Sequence, residues 1–451
     1  MHFSLLSKSD SNNRIIISAV TWLFRIITGT VFIVSGFVKA IDPWGSLYKF
    51  EEYTAAMGMP VLHALLLAGV FALCALEFMI GVILTTGCYR KSCPVVALIF
   101  IVIMLALTLW IALYDPVSDC GCFGDFIILS NWATFWKNVV LAVMILWLVK
   151  YNLEAITIIS PAFQWMAFVI SLVFVTTVSI LGYTRQPLID FRPYKTGGPL
   201  VNMTDEADND SGSDFRFVYE KDGERKEFGV DDELPSEEDG WIFVERIDIM
   251  PDKTATVSDS DSRSFRLWDK EGNEDMTAEA VTQGKQLLLL IPDLPGVSPA
   301  TTWKINELYD WATRHDAEMI AAVSGTSAAI AEWEDLSMPQ YDIYTCDDTA
   351  IKEVARGNPA VVYVDDNRII WKSSLGSLDI DIVSEHGDTI RPEDFATDSH
   401  KELINLVYLF MICMAVPLTL SMLPRIKDAY TARKTRRKNI TIHDDTALPG
   451  E

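Results

Sequence analysis

The chain has 451 residues, 50% of them hydrophobic, and pairs a mean hydropathy of +0.21 with a formal net charge of −24. These values exclude a single compact soluble domain, a collagen-like or disordered chain and a basic nucleic-acid binder, so no nucleic-acid partner is expected. Asp190 to His400 holds 47 acids against 19 bases while the rest holds 14 against 18, which joins an acidic block to an apolar membrane part.

A spanning helix needs about 20 mainly apolar residues. Six stretches qualify: Ile15 to Val38, Val61 to Thr86, Pro94 to Leu113, Trp132 to Val149, Ala162 to Gly182 and Leu403 to Leu423. The first is long and lacks a small-residue cleavage site, so it reads as an uncleaved anchor. Arg425, Lys427, Arg433, Lys434, Arg436, Arg437 and Lys438 follow the last span, which predicts a cytoplasmic tail. Counting back, the loops around Cys88 to Cys93 and Lys150 to Pro161 lie inside, and both termini are cytoplasmic. Lys39 to Pro60, Tyr114 to Asn131 and the acidic block lie outside. Arg25, ten residues into the first span, and Glu77, nine residues before the inner end of the second, then have matching depth, and an unpaired charge there costs about 2.5 to 3.5 kcal/mol. This predicts an Arg25–Glu77 ion pair, either as a packing device or as part of a proton or substrate route.

Four of the seven cysteines form close pairs, while Cys74, Cys346 and Cys413 stand apart and read as buried small hydrophobes. Cys120-Gly121-Cys122 falls in the outer loop between spans three and four. A disulfide across two residues is strained and therefore oxidising, and a site outside the cytoplasm lets a thiol pair cycle against exported proteins. An inert reduced pair competes with this reading, as does half of a metal site, although no His or further Cys is near in sequence. Cys88 and Cys93 flank Arg90 and Lys91, which should favour thiolate. A relay from them to Cys120 and Cys122 must cross about 30 Å, which calls for a quinone or a helix rearrangement.

Arg25, the run Ser35-Gly36-Phe37-Val38-Lys39 with Asp42-Pro43, the Glu77 helix and Cys120-Gly121-Cys122-Phe123-Gly124 together resemble the DoxX-like membrane proteins, and within them the MauE branch, over residues 15 to 150. The resemblance implies a four-helix membrane bundle associated with maturing disulfide-containing periplasmic proteins. The remainder resembles extended Bacteroidetes members of that group, in which a segment like Phe191-Arg192-Pro193-Tyr194-Lys195 recurs. It implies a bacterial inner membrane, with residues 185–402 periplasmic.

In the acidic block, Phe215 to Tyr219 and Arg225 to Val230 suggest a hairpin, and Asp205 to Asp214 reads as a solvated linker rather than a Ca²⁺ loop. A strand is expected at Phe265 to Trp268. Strands at Leu287 to Ile291, Met319 to Val323 and Tyr341 to Tyr344 alternate with helices at Thr301 to Arg314, Ser327 to Leu336 and Asp348 to Ala355. A hairpin of Ala360 to Val364 and Ile369 to Lys372 follows. With Pro359 as a cis-proline candidate, this order resembles a thioredoxin-like domain over 265–375. Pro292 to Pro299 occupies the redox position without Cys, so no C-x-x-C cycle operates there. Trp303, Trp311 and Trp333 are expected in the core.

The expected architecture is a membrane α-helical bundle, a four-helix DoxX/MauE-like core plus two further spans, with an extracytoplasmic α/β thioredoxin-like domain. Its parts are a membrane domain at 1–150, a fifth helix at 151–184, an acidic linker with a hairpin at 185–264, the α/β domain at 265–375, a linker at 376–402, a sixth helix at 403–424 and a basic tail at 425–451. Cys120 and Cys122 are the candidate catalytic residues of a thiol–disulfide oxidoreductase or maturation factor, with Cys88 and Cys93 as relay. Membrane lipid and an exported protein are the expected partners. A non-catalytic assembly protein with inert cysteines is the alternative, and a quinone-linked transporter rests only on the buried charges.

Overall fold

The computed structural model describes residues 2–59, 61–115, 124–127, 129–154, 157–201, 215–221, 224–228, 242–248, 264–281, 284–381, 383, 389, 391–395 and 399–445. Two compact units result, one formed by residues 1–192 with 397–451 and the other by residues 193–396.

The first unit is helical: α1 (His2–Ile41), α2 (Pro43–Ala56), α3 (His63–Thr86), α4 (Ser92–Tyr114), α5 (Asn131–Tyr151), α6 (Gln164–Thr184) and a last helix, Ser399–Asp445. Among the described residues six helices are long and apolar enough to cross a membrane, one at each place expected from the sequence. In lipid a helix satisfies its backbone internally, which is why these apolar runs need no other partner. Pro43 and the side chain of Asp42, which accepts from Gly45 N at 3.1 Å, start α2, and Ser130 accepts from Ala133 N to start α5.

Packing between α1 and α3 depends on missing side chains. A Cβ on Gly36 would lie 2.4 Å from Phe78 N, and one on Gly81 would lie 2.5 Å from Ile33 N. The two backbones therefore approach closely, as small residues allow in membrane bundles. On the other side of α1 and α3, Phe37, Phe78, Phe174 of α6 and Phe410 of the last helix form one aromatic cluster, Phe174 and Phe410 being stacked at 4.4 Å. Arg185 at the end of α6 donates through Nη1 to both carboxylate oxygens of Glu402 at the start of the last helix.

The second unit contains two sheets. β1 (Phe215–Lys221), β2 (Glu224–Phe228) and β3 (Ile242–Asp248) form an antiparallel sheet of order β2-β1-β3, so the expected hairpin has a third strand that the acidic surroundings hid. β4 (Lys285–Ile291), β5 (Glu318–Val323), β6 (Asp342–Thr345), β7 (Ala360–Asp365) and β8 (Arg368–Ser374) follow the order β6-β5-β4-β7-β8. β4, β5 and β6 are parallel, and β7 and β8 antiparallel. The unbroken apolar run of β4 marks a strand covered on both faces. Leu287, Leu289 and Ile291 meet helix Thr302–Arg314 through Ile305 and Trp311, while Leu288 and Leu290 meet Phe265, Ile351 and Val354 on the opposite face.

The β7–β8 turn places Asp366 and Asn367 at φ of 47° and 62°, the conformation a two-residue hairpin favours. Asn367 also clamps Val201 through both its amide atoms, and Gly197 donates to Ile369 O, so residues 193–201 pack onto the sheet edge instead of acting as linker. Phe265 to Trp268 is not a full strand. Only Trp268 is bridged, to Thr345 and to Asp275.

Candidate functional site

One cluster of buried polar side chains bridges α1 and α3. Ser35 and Lys39 are one helical turn apart, hence on one face of α1. Lys39 Nζ lies 2.7 Å from Glu77 Oε2 and donates to Ser35 Oγ at 2.8 Å, and Ser35 Oγ donates to the same Glu77 oxygen at 2.8 Å. All three are buried, Lys39 at 4% and Glu77 at 2% exposure.

This overturns the expected Arg25–Glu77 pair. The glycine crossing fixes the register of the two antiparallel helices, so that Glu77 faces Ser35 and Arg25 faces Leu84 to Gly87. Ten residues of α1 separate the two levels, about 15 Å. The expectation counted Arg25 from Ile15, whereas α1 begins at His2, and depth alone does not fix which side chains of α1 and α3 meet; the glycine crossing does.

Arg25 is fully buried and finds its partners at the end of α3. Its Nε donates to Leu84 O at 3.0 Å, and its guanidinium lies 4.4 Å from the Trp22 ring centre. A cation on the last carbonyls of a helix complements its dipole. Gly87, which ends α3 at φ 71°, is needed twice over: a Cβ there would sit 1.8 Å from Arg25 Nη2.

Cys88 and Cys93 lie at this same end, both buried and free. Thr86 Oγ1 donates to Cys88 Sγ at 3.3 Å. Burial pushes the Cys88 thiol up, with Thr86 and Arg25 opposing it less strongly, which runs against the thiolate-favouring effect expected from Arg90 and Lys91. Cys93 points its thiol toward Ile80 O at 3.8 Å.

A small cavity of about 30 Å³ lies inside the α1, α3, α4 and α5 bundle, with Ser35, Glu77, Lys137 and Asn138 among its polar lining and Phe100 and Met104 among its apolar lining. Asn138 donates to Thr108 at 3.4 Å. A second hollow, about 440 Å³ and open, lies beside α2 where His63 Nδ1 is 2.9 Å from Glu51 Oε1. Lys39, Ser35, Lys137 and His63 were given no role in the sequence reading, although the one-turn spacing of Ser35 and Lys39 was a usable signal.

Cys120 and Cys122 lie outside the described residues, as do Asp205 to Asp214. The described chain resumes at Gly124, whose Cβ position is 3.7 Å from Val38 Cγ1, beside Lys39. In the second unit the Asn358–Pro359 peptide is cis, as anticipated. Asn358 Nδ2 donates to Asp293 O at 2.7 Å, which brings the segment before Pro359 against the Pro292 to Pro299 loop. Trp311 and Trp333 are core residues, but Trp303 is 52% exposed, because it points away from the face of its helix that carries Ile305 and Leu308. Cys74 and Cys346 are buried and Cys413 is half-buried.

Residues 17–151 match the family model described as methylamine utilisation protein MauE, and residues 213–253 match one described as a domain of unknown function, DUF8463. No curated protein and no solved structure matches the chain. The membrane part is thus MauE-like over the stretch that contains Arg25, Ser35, Lys39, Glu77 and both cysteine pairs.

Proposed function

We propose that the chain is a bacterial inner-membrane maturation factor for exported proteins, exchanging disulfides through Cys120 and Cys122 while its exported α/β domain docks the partner. The observation that carries this reading is the MauE match, which suggests a membrane accessory role and encloses the Cys120-Gly121-Cys122 run. In the reaction, a thiolate of the partner attacks the Cys120–Cys122 disulfide, one cysteine leaves as thiolate, and the second partner thiolate resolves the mixed disulfide. The partner is oxidised and the pair reduced.

The exported domain reads as thioredoxin-like from its strand order and its cis Pro359, with a docking role because the neighbouring loop has no Cys. Cys346 does not substitute, being buried with its thiol pushed up to about 12. The same two facts favour the second reading, a non-catalytic assembly protein. Impermeant alkylation in intact cells, with Cys120→Ser and Cys122→Ser variants, tests the choice. Exchange predicts a fraction of oxidised pair in wild type and a trapped mixed disulfide in one variant. A pair that stays fully reduced, with both variants behaving as wild type, overturns it.

A further inference from the structure

The Ser35–Lys39–Glu77 cluster differs from a purely structural ion pair. Both hydrogen bonds to the Glu77 carboxylate fall on Oε2, and among the described residues Oε1 receives none. Glu77 instead lines the cavity between α1, α3, α4 and α5, whose volume of about 30 Å³ suffices for a water molecule or two. A buried water needs two to four polar partners, and Glu77, Ser35, Asn138 and Lys137 supply them. Lys137, half-buried on α5, also lines this cavity. Glu77 lies ten residues from Gly87 along α3, about 15 Å from that end and hence near mid-membrane. Ionisable groups at such depth that face a polar hollow mark proton routes.

We infer that Glu77 is a proton-exchanging carboxylate served by water held in this cavity, with Lys39 and Lys137 as its cationic neighbours. A proton from bulk water enters through the cavity water and binds Oε1, turning the carboxylate into a carboxylic acid. Oε2 still accepts from Ser35 and Lys39, and the site goes from neutral, counted as Lys39 with Glu77, to a single positive charge. Among the described residues Lys39 on α1 and Lys137 on α5 are the charged groups near this level; α4, α6 and residues 403–423 of the last helix contain none, and Arg25 lies about 15 Å away along α1. The inference holds whether or not Cys120 and Cys122 cycle.

Infrared titration of the full chain in lipid nanodiscs between about pH 4 and pH 9 tests it. The wild-type spectrum minus that of Glu77→Gln, which cancels the bands of the other carboxyls, should show a protonated-carboxyl band on acidification that shifts at once in D₂O. Lys137→Met should raise its midpoint by about one pH unit, a tenfold gain in proton affinity, because an attracting cation is gone. Ser35→Ala should raise it as well by removing a donor to the charged form. These two variants keep Glu77 and decide the matter even where Glu77→Gln fails to accumulate. Absence of a titrating band from that difference, or a midpoint unmoved in both Lys137→Met and Ser35→Ala, overturns the inference, and neither outcome bears on the thiol exchange.

Discussion

Lys39 and Glu77 are each other's main compensation for leaving water, so the two cannot be removed singly without consequence. Lys39→Met leaves a buried carboxylate unpaired and should lower stability by about 3 to 5 kcal/mol, read as a fall in the thermal midpoint of the detergent-solubilised protein. The double variant Lys39→Met with Glu77→Met should recover much of that loss, and a double variant no better than the single one contradicts the pairing. Gly87→Ala combines a left-handed backbone with a Cβ inside the Arg25 guanidinium, so it should cost more than the roughly 1 kcal/mol of the backbone effect alone. Cys346 gives a pH signature. Its thiol rises from the ordinary 9.0 to about 12 through burial, so the unfolded chain loses this proton first. The contribution is complete below about pH 9 and disappears as pH climbs toward 12, whereas Cys346→Ala should flatten this part of the stability profile. The existence of buried charges was legible from the sequence, because Arg25 and Glu77 sit inside apolar runs. Their partners were not, because partner choice depends on helix register, and register was set by Gly36 and Gly81.

Among elements, the α1–α3 pair carries the greatest steric constraint in the membrane unit. Gly36→Val would drive a branched side chain into the Phe78 backbone, forcing the helices apart and stretching the Lys39–Glu77 contact as well. A paired-cysteine cross-link between α1 and α3 that forms in wild type should lose most of its yield in this variant; an unchanged yield argues against the close approach. The spans, the β4 run and the β7–β8 hairpin could be read from residues alone, since length, unbroken apolarity and the Asp366–Asn367 turn each have a local cause. β3 was missed although Asp239-Gly240 precedes it and Pro251 follows it, because Glu245, Arg246 and Asp248 within the strand and the acidic run before it obscure its apolar residues. The Cys120–Cys122 loop could be read only as chemistry, with its neighbours known from Gly124 onward.

At the scale of the whole molecule, the charge balance makes a topological claim. Protease applied to the outer face of spheroplasts should cut within residues 193–396 and leave the basic tail after Arg425 intact, and the reverse pattern contradicts the orientation drawn from the Lys and Arg counts. The sequence boundaries of the two units add a further point. The second unit is an insertion in sequence, entered from α6 and left into the last helix, and Arg185 with Glu402 joins those two helices at their ends. The domain is therefore leashed at both ends. A single nick within it leaves each fragment anchored by its own helix.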